Sequence, residues 1–139
     1  MQKIRNLSSS LNKDITAKRD WVRNHYTPET INEYETFEGK LILLDTILKS
    51  NWIDKSETLK LQCLGITLGD IIAQDLGLNW VEIEDEYGID PALRFGETSL
   101  IVFPQTMISK RVEKGETVDI YELYELLEEG INTSKEKAH

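Results

Sequence analysis

The stretch from Ser56 to Trp80 constrains the fold more than any other part of the chain. Apolar residues recur along it at helical spacing and cover most of the circumference of a predicted helix that ends at Gly77. These apolar positions are Leu59, Leu61, Leu64, Ile66, Leu68, Ile71, Ile72, Ala73 and Leu76. Because a helix that is apolar nearly all round lies inside a domain, the sequence predicts a buried central helix from Ser56 to Gly77.

Small residues recur every four positions in this helix, at Gly65, Gly69 and Ala73. A glycine inside a helix costs about 1 kcal/mol relative to alanine. Close packing of another element against this smooth ridge is the expected compensation. The polar residues of the helix share one narrow strip, which consists of Lys60, Cys63, Thr67, Asp70 and Gln74.

Two helices are predicted before the central one. The first is amphipathic and runs from about Ser10 to Tyr26. The second begins at Thr27-Pro28, where threonine is the N-cap and proline takes the first helical position, and it ends near Lys49. Gly39 is a weak point or small break in this second helix.

After the central helix, the spacing of apolar residues changes from helical to alternating. Residues 79–85 alternate like a half-buried strand, residues 86–91 form a turn, and residues 92–95 and 100–103 are two more short strands. Two helices follow, from Pro104 to Gly115 and from Asp119 to about Gly130. The predicted fold is α+β: a central buried helix with flanking helices packed on one face of a small three-stranded antiparallel sheet. Residues 1–139 are predicted to form one domain, with loose tails at residues 1–9 and 131–139.

The composition limits the classes of partner. The net charge is −9, from 25 acidic and 16 basic residues, so the surface repels nucleic-acid phosphates and anionic lipids. No apolar run approaches the length of about 20 residues that a membrane span needs. The single cysteine fits a reducing compartment, which makes the cytoplasm the expected location. The charge itself either serves solubility or steers the protein toward a basic partner.

From about Leu61 to Leu127 the chain resembles a mainly bacterial family known as domain of unknown function 3806. The segments that carry the resemblance are Leu64-Gly65-Ile-Thr-Leu-Gly69-Asp70, Trp80-Val81, Asp85-Glu86-Tyr87-Gly88, Pro91-Ala-Leu-Arg94, and Pro104 leading to Ser109-Lys110-Arg111-Val-Glu-Lys-Gly115-Glu116. The resemblance implies a small α+β domain. It implies no particular reaction.

The residue types that catalysis requires are sparse. Hydrolytic nucleophiles work beside a histidine base, but the two histidines are His25 and His139, and no Gly-x-Ser-x-Gly turn is present. We expect His25 to complement a helix dipole and Cys63 to be a buried structural thiol. One cysteine and two histidines without ligand spacing do not support zinc. The sequence therefore favours a non-catalytic protein over an enzyme without excluding catalysis, and it predicts no metal site and no cofactor.

An acidic run offers the one alternative metal site, with oxygen ligands for a hard cation. It consists of Glu82, Glu84, Asp85, Glu86 and Asp90. Strand alternation places Glu82 and Glu84 on one face and Asp85 on the other, so the oxygens do not converge on one point. A solvated strand edge is the favoured interpretation.

The main functional hypothesis is a protein-interaction module, of which an immunity protein that neutralises a basic toxin is one possible form. If Val81 and Ile83 face the helices, alternation puts Trp80 on the outer face of the sheet. The predicted partner-binding residues are then Trp80, Glu82, Glu84 and Arg94. The opposing interpretation is that the tail or the last helix covers Trp80.

The alternative hypothesis is a small-molecule-binding or catalytic pocket between the central helix and the turn at residues 85–91. Its polar groups would be Asp85, Tyr87, Lys110 and Arg111. A further question concerns Asp75, which helical geometry places among leucines. It either reaches solvent or needs a partner, for which Lys110 and Arg111 are the candidates.

Overall fold

The computed structural model describes residues 2–138, and the predictions made for Met1 and His139 therefore lie outside the described residues. In chain order the elements are β1 (Lys3–Arg5), α1 (Ser9–Arg23), a 3₁₀ turn (Ile31–Glu35), α2 (Phe37–Lys49), α3 (Thr58–Leu76), β2 (Asn79–Asp85), β3 (Gly88–Arg94), β4 (Ile101–Val102), a second 3₁₀ turn (Pro104–Thr106), α4 (Met107–Glu113) and α5 (Ile120–Lys137). The architecture is α+β, as predicted.

The predicted central helix is confirmed as α3. It ends at Gly77, which has a φ of +73° and donates its backbone N–H to the Ala73 carbonyl. Helix α3 packs against α1, α2, α4, α5 and the second 3₁₀ turn. Its apolar residues are buried except Ala73, which is half-buried, and Leu59, which is exposed in the first turn.

The glycine ridge of α3 is where two other elements approach most closely. A Cβ added at Gly65 would lie 2.1 Å from the backbone oxygen of Gln105, in the second 3₁₀ turn. A Cβ added at Gly69 would lie 2.5 Å from ring atoms of Trp80, in β2. The expected compensation for helical glycine is therefore present at both positions.

The antiparallel sheet has the strand order β1-β2-β3-β4, one strand more than predicted. The additional strand is β1, which pairs with β2 so that Lys3, Ile4 and Arg5 lie opposite Glu84, Ile83 and Glu82. The prediction of a loose tail at residues 1–9 is thus wrong for the described part of that segment. A strand of three residues is too short to show an alternation of apolar and polar residues. It is held by pairing with a strand that lies far away in the sequence.

The predicted start of the second helix at Thr27-Pro28 is also wrong. Thr27 and Thr30 hydrogen-bond to each other in a turn, and α2 begins at Phe37. Thr36 caps α2 by accepting a hydrogen bond of 2.9 Å from the backbone N–H of Gly39. The chain turns back so tightly here that a Cβ at Gly39 would lie 1.7 Å from the Glu33 carbonyl oxygen. Gly39 thus permits the corner that separates the 3₁₀ turn from α2.

The last helix, α5, extends through the segment that was predicted to be a loose tail. Asp119 caps it as predicted, accepting hydrogen bonds from the backbone N–H groups of Tyr121 and Glu122 at 3.0 and 3.3 Å. Helix α5 continues past Gly130 to Lys137, and Ile131 is 5% exposed. The buried Ile131 explains why the helix does not end at the glycine. Among residues 2–138, no helix combines the length and the apolar character that crossing a bilayer requires.

Candidate functional site

Trp80 lies against the central helix and not on the outer face of the sheet. Its ring contacts the helix at Gly69, and its indole N–H donates a hydrogen bond of 2.9 Å to Asp70 Oδ1. The residue opposite Trp80 in β3 is Leu93, which is fully buried and belongs to the same hydrophobic core as the apolar residues of α3. The predicted outward orientation is therefore wrong, and the cover is α3 instead of the tail or the last helix.

Glu82 and Glu84, two other residues of the predicted partner surface, are both paired with Arg5. Glu82 is 1% exposed, and its carboxylate accepts hydrogen bonds from Arg5 Nε at 2.6 Å and from the backbone N–H of Ser8 at 3.0 Å. Hydrogen bonding from Ser8, and then from Arg5, lowers the pKa of the Glu82 carboxyl. Glu84 accepts a bond of 2.7 Å from Arg5 Nη1. One arginine thus joins two of the predicted carboxylates.

Arg94 points away from the face of the sheet on which Trp80 lies. It lies opposite Asn79 in the strand register, one position out of phase with Trp80. Its Nε donates a hydrogen bond of 2.8 Å to the Thr98 carbonyl in the following loop. The structure therefore does not bring Trp80 and Arg94 together.

The four residues predicted to form a pocket lie in three separate places, with only Asp85 and Tyr87 together. Asp85 accepts a hydrogen bond of 2.8 Å from the Tyr87 backbone N–H, and Tyr87 is 89% exposed at the turn. Lys110 lines a concavity of about 270 Å³ with Asp90, Pro91 and other residues, but without Asp85, Tyr87 or Arg111. Arg111 hydrogen-bonds to the Met107 carbonyl at 2.9 Å and lines a different concavity, near the start of α5.

The turn between β2 and β3 forms an exposed acidic hairpin, which we define as residues 85–90. Residues 82–90 include five carboxylates and no lysine or arginine. Arg5 pairs with two of them, Glu82 and Glu84. Within the described residues, the other three (Asp85, Glu86 and Asp90) form no ion pair. The hairpin therefore carries carboxylates without a described ion-pair partner both before and after the exposed Tyr87 in the sequence.

A second polar site, which the sequence did not reveal, is centred on Asp70 of α3. Arg19 of α1 holds this carboxylate with two hydrogen bonds, from Nε at 2.6 Å and from Nη2 at 2.9 Å. The Trp80 indole supplies the third donor. Paired guanidinium–carboxylate bonds of this kind are geometrically specific, so Asp70 fixes α1, α3 and β2 relative to one another.

Lys40 of α2 lies in the same region and is 7% exposed. Its Nζ donates a hydrogen bond of 2.6 Å to Gln74 Oε1 and lies 5.0 Å from the centre of the Tyr34 ring. Gln74 in turn donates to the Glu35 carbonyl at 2.8 Å. Burial lowers the pKa of Lys40, because desolvation disfavours its charged form.

Lys40 and Asp70 border one open concavity of about 480 Å³, which we call the Arg23–Lys40 concavity. It is lined by Arg19, Arg23, Tyr34, Glu35, Lys40, Asp70, Ala73 and Gln74. Arg23 Nε is buried and has no hydrogen-bond partner among the described residues. One clue in the sequence is the spacing of Arg19 and Arg23, four residues apart and hence on one side of α1.

Asp75 has a partner that was not among its two candidates. The hydroxyl of Tyr124 in α5 donates a hydrogen bond to Asp75 Oδ2, so neither Lys110 nor Arg111 fills this role. The pKa of the Glu128 carboxyl is raised, first by its hydrogen bond with Asp75 and second by burial. Burial, and then the bond to Asp75, raises the pKa of Tyr124. This cluster joins α3 to α5 and serves the fold.

Cys63 and His25, the potential nucleophile and the potential base among the described residues, have structural surroundings. Cys63 is buried, and burial raises the pKa of its thiol. His25 lies just after α1, with Nδ1 2.7 Å from the Trp21 carbonyl oxygen and its ring stacked on Trp52. Between residues 2 and 138, no three His, Cys, Asp or Glu side chains are grouped to hold a metal ion.

Comparison with known proteins places this chain in a family. The family model described as Domain of unknown function (DUF3806) matches residues 40–124. The chain belongs to this family. The matched segment includes Lys40, Asp70, Trp80 and the acidic hairpin, whereas α1, which carries Arg19 and Arg23, precedes it.

The fold itself recurs in a larger protein. A crystal structure of a protein from Bacteroides thetaiotaomicron VPI-5482 superposes with a TM-score of 0.71 at 17% sequence identity. The similarity covers 89% of this chain but 46% of the other, so this chain spans about half the length of that protein. At such an identity the similarity concerns the fold alone. No curated protein matches the sequence.

Proposed function

We propose that this protein is a non-catalytic interaction module that binds a basic segment of another protein through the acidic hairpin. The observation that carries the proposal is the 89% exposure of Tyr87 at the turn. A large aromatic side chain held in solvent among polar groups is typical of recognition surfaces, where Tyr is enriched.

The charge of the hairpin favours a basic partner. Asp85, Glu86 and Asp90 are not paired with any described cation, and the whole chain carries a net charge of −9. Complementary charge accelerates association and discriminates among partners. Binding at this surface should therefore weaken as the salt concentration rises.

Apolar surface within the hairpin and beside it supplies the other part of such an interface. Ile89 in β3 is 50% exposed and Phe103 after β4 is 41% exposed. Phe103 and Asp90 both line the concavity of about 270 Å³. The apolar stem of a partner's lysine or arginine suits the Phe103 ring, whereas Lys110, which lines the same concavity, directs the charged head toward the hairpin carboxylates outside it.

The proposed setting is the cytoplasm of a bacterial cell. Cys63 is a free thiol, which fits a reducing compartment. An immunity protein that neutralises a basic toxin is one concrete form of such a module, by analogy alone.

Site-specific photo-crosslinking tests the proposal. A photoreactive phenylalanine analogue is introduced at Tyr87 in one variant and at Tyr121 in another, and both are expressed in the native cells. Tyr121 is the matched control, because it is also an exposed tyrosine but lies on α5. The Tyr87 variant should form a specific adduct with a basic protein, and the Tyr121 variant should not.

The captured protein is then purified and its affinity measured at several salt concentrations. Charge reversal by Glu86→Lys and Asp90→Lys should weaken binding, and raising the salt concentration should do the same. The proposal fails if Tyr87 gives no specific adduct. It also fails if affinity is unaffected by both charge reversal and salt.

A further inference from the structure

The Arg23–Lys40 concavity gathers positive charge on a protein that is negative overall. Three cationic side chains line it, those of Arg19, Arg23 and Lys40, against the carboxylates of Asp70 and Glu35. The sign of the local charge is thus opposite to the net charge of −9. A concave surface of this sign raises the local concentration of anions.

The cations in this concavity differ in how fully they are paired. Arg19 is committed to Asp70 through two hydrogen bonds. Lys40 donates to the neutral amide oxygen of Gln74, although an ammonium group has three N–H donors. Arg23 Nε has no partner among residues 2–138, despite being buried. Two cationic groups thus retain donors for an anion.

Glu35 does not neutralise them by direct contact. Its side chain is exposed, and within the described residues it forms no ion pair. A buried donor that lacks a partner, like Arg23 Nε, is costly, and a bound oxygen atom would remove that cost. The charged form of Lys40, which burial disfavours, would gain in the same way.

We infer that the Arg23–Lys40 concavity binds one oxyanion group, a carboxylate or a phosphate, carried by a small molecule. The fork of the Arg23 guanidinium and the point charge of Lys40 suit either group. The volume of about 480 Å³ falls within the range of small-molecule sites. Residues of the acidic hairpin do not line this concavity, so the inference is independent of the proposed protein interface.

Titration followed by two-dimensional ¹H–¹⁵N NMR tests the inference on the full chain. Sodium phosphate and sodium succinate are the probes, and sodium chloride at matched ionic strength is the reference. Saturable shifts at the amides of Lys40 and Gln74 with either probe, and none with chloride, would support the inference. The probe that binds more tightly identifies the anion class. The absence of a saturable response to both probes would overturn it.

Substitutions then locate the bound anion. Arg23→Gln and Lys40→Met should each weaken binding at least about tenfold, which corresponds to the loss of one charge-assisted hydrogen bond. Lys13→Gln is the control, because Lys13 is an exposed cation of the same helix as Arg23 and does not line the concavity. It should bind like the unmodified protein.

If Lys40→Met impairs folding, Arg23→Gln still tests the inference, because Arg23 is only half-buried. A folded Arg23→Gln variant that binds both probes with unchanged affinity overturns the inference. Thermal unfolding gives an independent measurement, since an anion that binds only the native state raises the Tm. That increase should be present in Lys13→Gln and reduced in Arg23→Gln.

Discussion

The backbone oxygen of Gln105 occupies the space that a side chain at Gly65 would need. A Cβ at position 65 would lie 2.1 Å from that oxygen, well inside van der Waals contact. Since the oxygen belongs to the backbone of a 3₁₀ turn, it cannot move as the end of a flexible side chain does. The identity of one residue in α3 thus sets the distance between two elements of the fold.

Gly65→Ala should therefore lower the free energy of unfolding by about 2 kcal/mol or more, as overpacking of a core does. Urea denaturation measures the change. Gly130→Ala is the matched control: it is also a helical glycine, but a Cβ there meets nothing within 4 Å. It should raise stability by up to about 1 kcal/mol through helix propensity. Equal effects of the two substitutions would refute the close approach.

Asp70→Asn should lower the free energy of unfolding by about 2 kcal/mol, because the amide cannot sustain the charge-assisted bonds from Arg19. Asp14→Asn is the comparison, since the Asp14 side chain is 50% exposed and pairs with Lys18 of the same helix. That substitution should cost less than about 0.5 kcal/mol. Chemical denaturation of both variants at neutral pH checks the difference, and a cost at Asp70 as small as that at Asp14 would contradict it.

The stability contributed by Glu82 should depend on pH. The native-state pKa of Glu82 is lowered, so the ionised form stabilises the fold at neutral pH. This contribution persists above the unfolded pKa of glutamate and is lost as the pH falls through the lower native value. Glu82→Gln should therefore be less stable than the unmodified protein at pH 7, with the difference shrinking under acid conditions.

Urea midpoints measured from pH 7 to pH 3 give this comparison. Glu29→Gln serves as a control, because Glu29 is exposed in the turn before α2. Its effect should stay small throughout. A difference for Glu82→Gln that does not change with pH would rule out the ion pair with Arg5 as its source.

Ile131→Ala should lower the free energy of unfolding by about 2–4 kcal/mol, the usual cost of truncating a buried isoleucine. Leu126→Ala, on the same helix but 67% exposed, should have little effect. Thermal and urea unfolding measure both. If residues after Gly130 were a loose tail, the two substitutions would be equally harmless.

The sequence was sufficient for α3 because the signal is local. A helix that is apolar nearly all round has few alternative placements, and Gly77 provides the left-handed residue that ends it. The N-cap of α5 at Asp119 was predictable for the same reason. In each case, the residues that determine the structure lie within a few positions of one another.

The orientation of β2 could not be predicted from the residues of the strand alone. Alternation separates Trp80 from Val81 and Ile83 but does not say which set faces the helices, since both contain apolar residues. The deciding contacts, Gly69 and Asp70, come from another element. Strand β1 was missed for a related reason, because its three residues gain order only by pairing with β2.

The Arg23–Lys40 concavity could not be predicted from the spacing of residues along the sequence. Its residues come from α1, the first 3₁₀ turn, α2 and α3, so no single segment carries the pattern. Asp70 and Gln74 were recognised as part of a polar strip, but the cations that meet them lie far away in the sequence. Only packing of the helices brings these groups together.

The pairing of β1 with β2 has a consequence for how the chain folds during synthesis. Arg5 of β1 and Glu82 of β2, which are joined by a hydrogen bond, are 77 positions apart in the sequence. The first strand therefore emerges from the ribosome long before its neighbour exists, and it must wait without a hydrogen-bonded partner until β2 has been translated. Contacts of such long range lower the folding rate, because the long intervening segment must close before the pairing of β1 with β2 stabilises the fold.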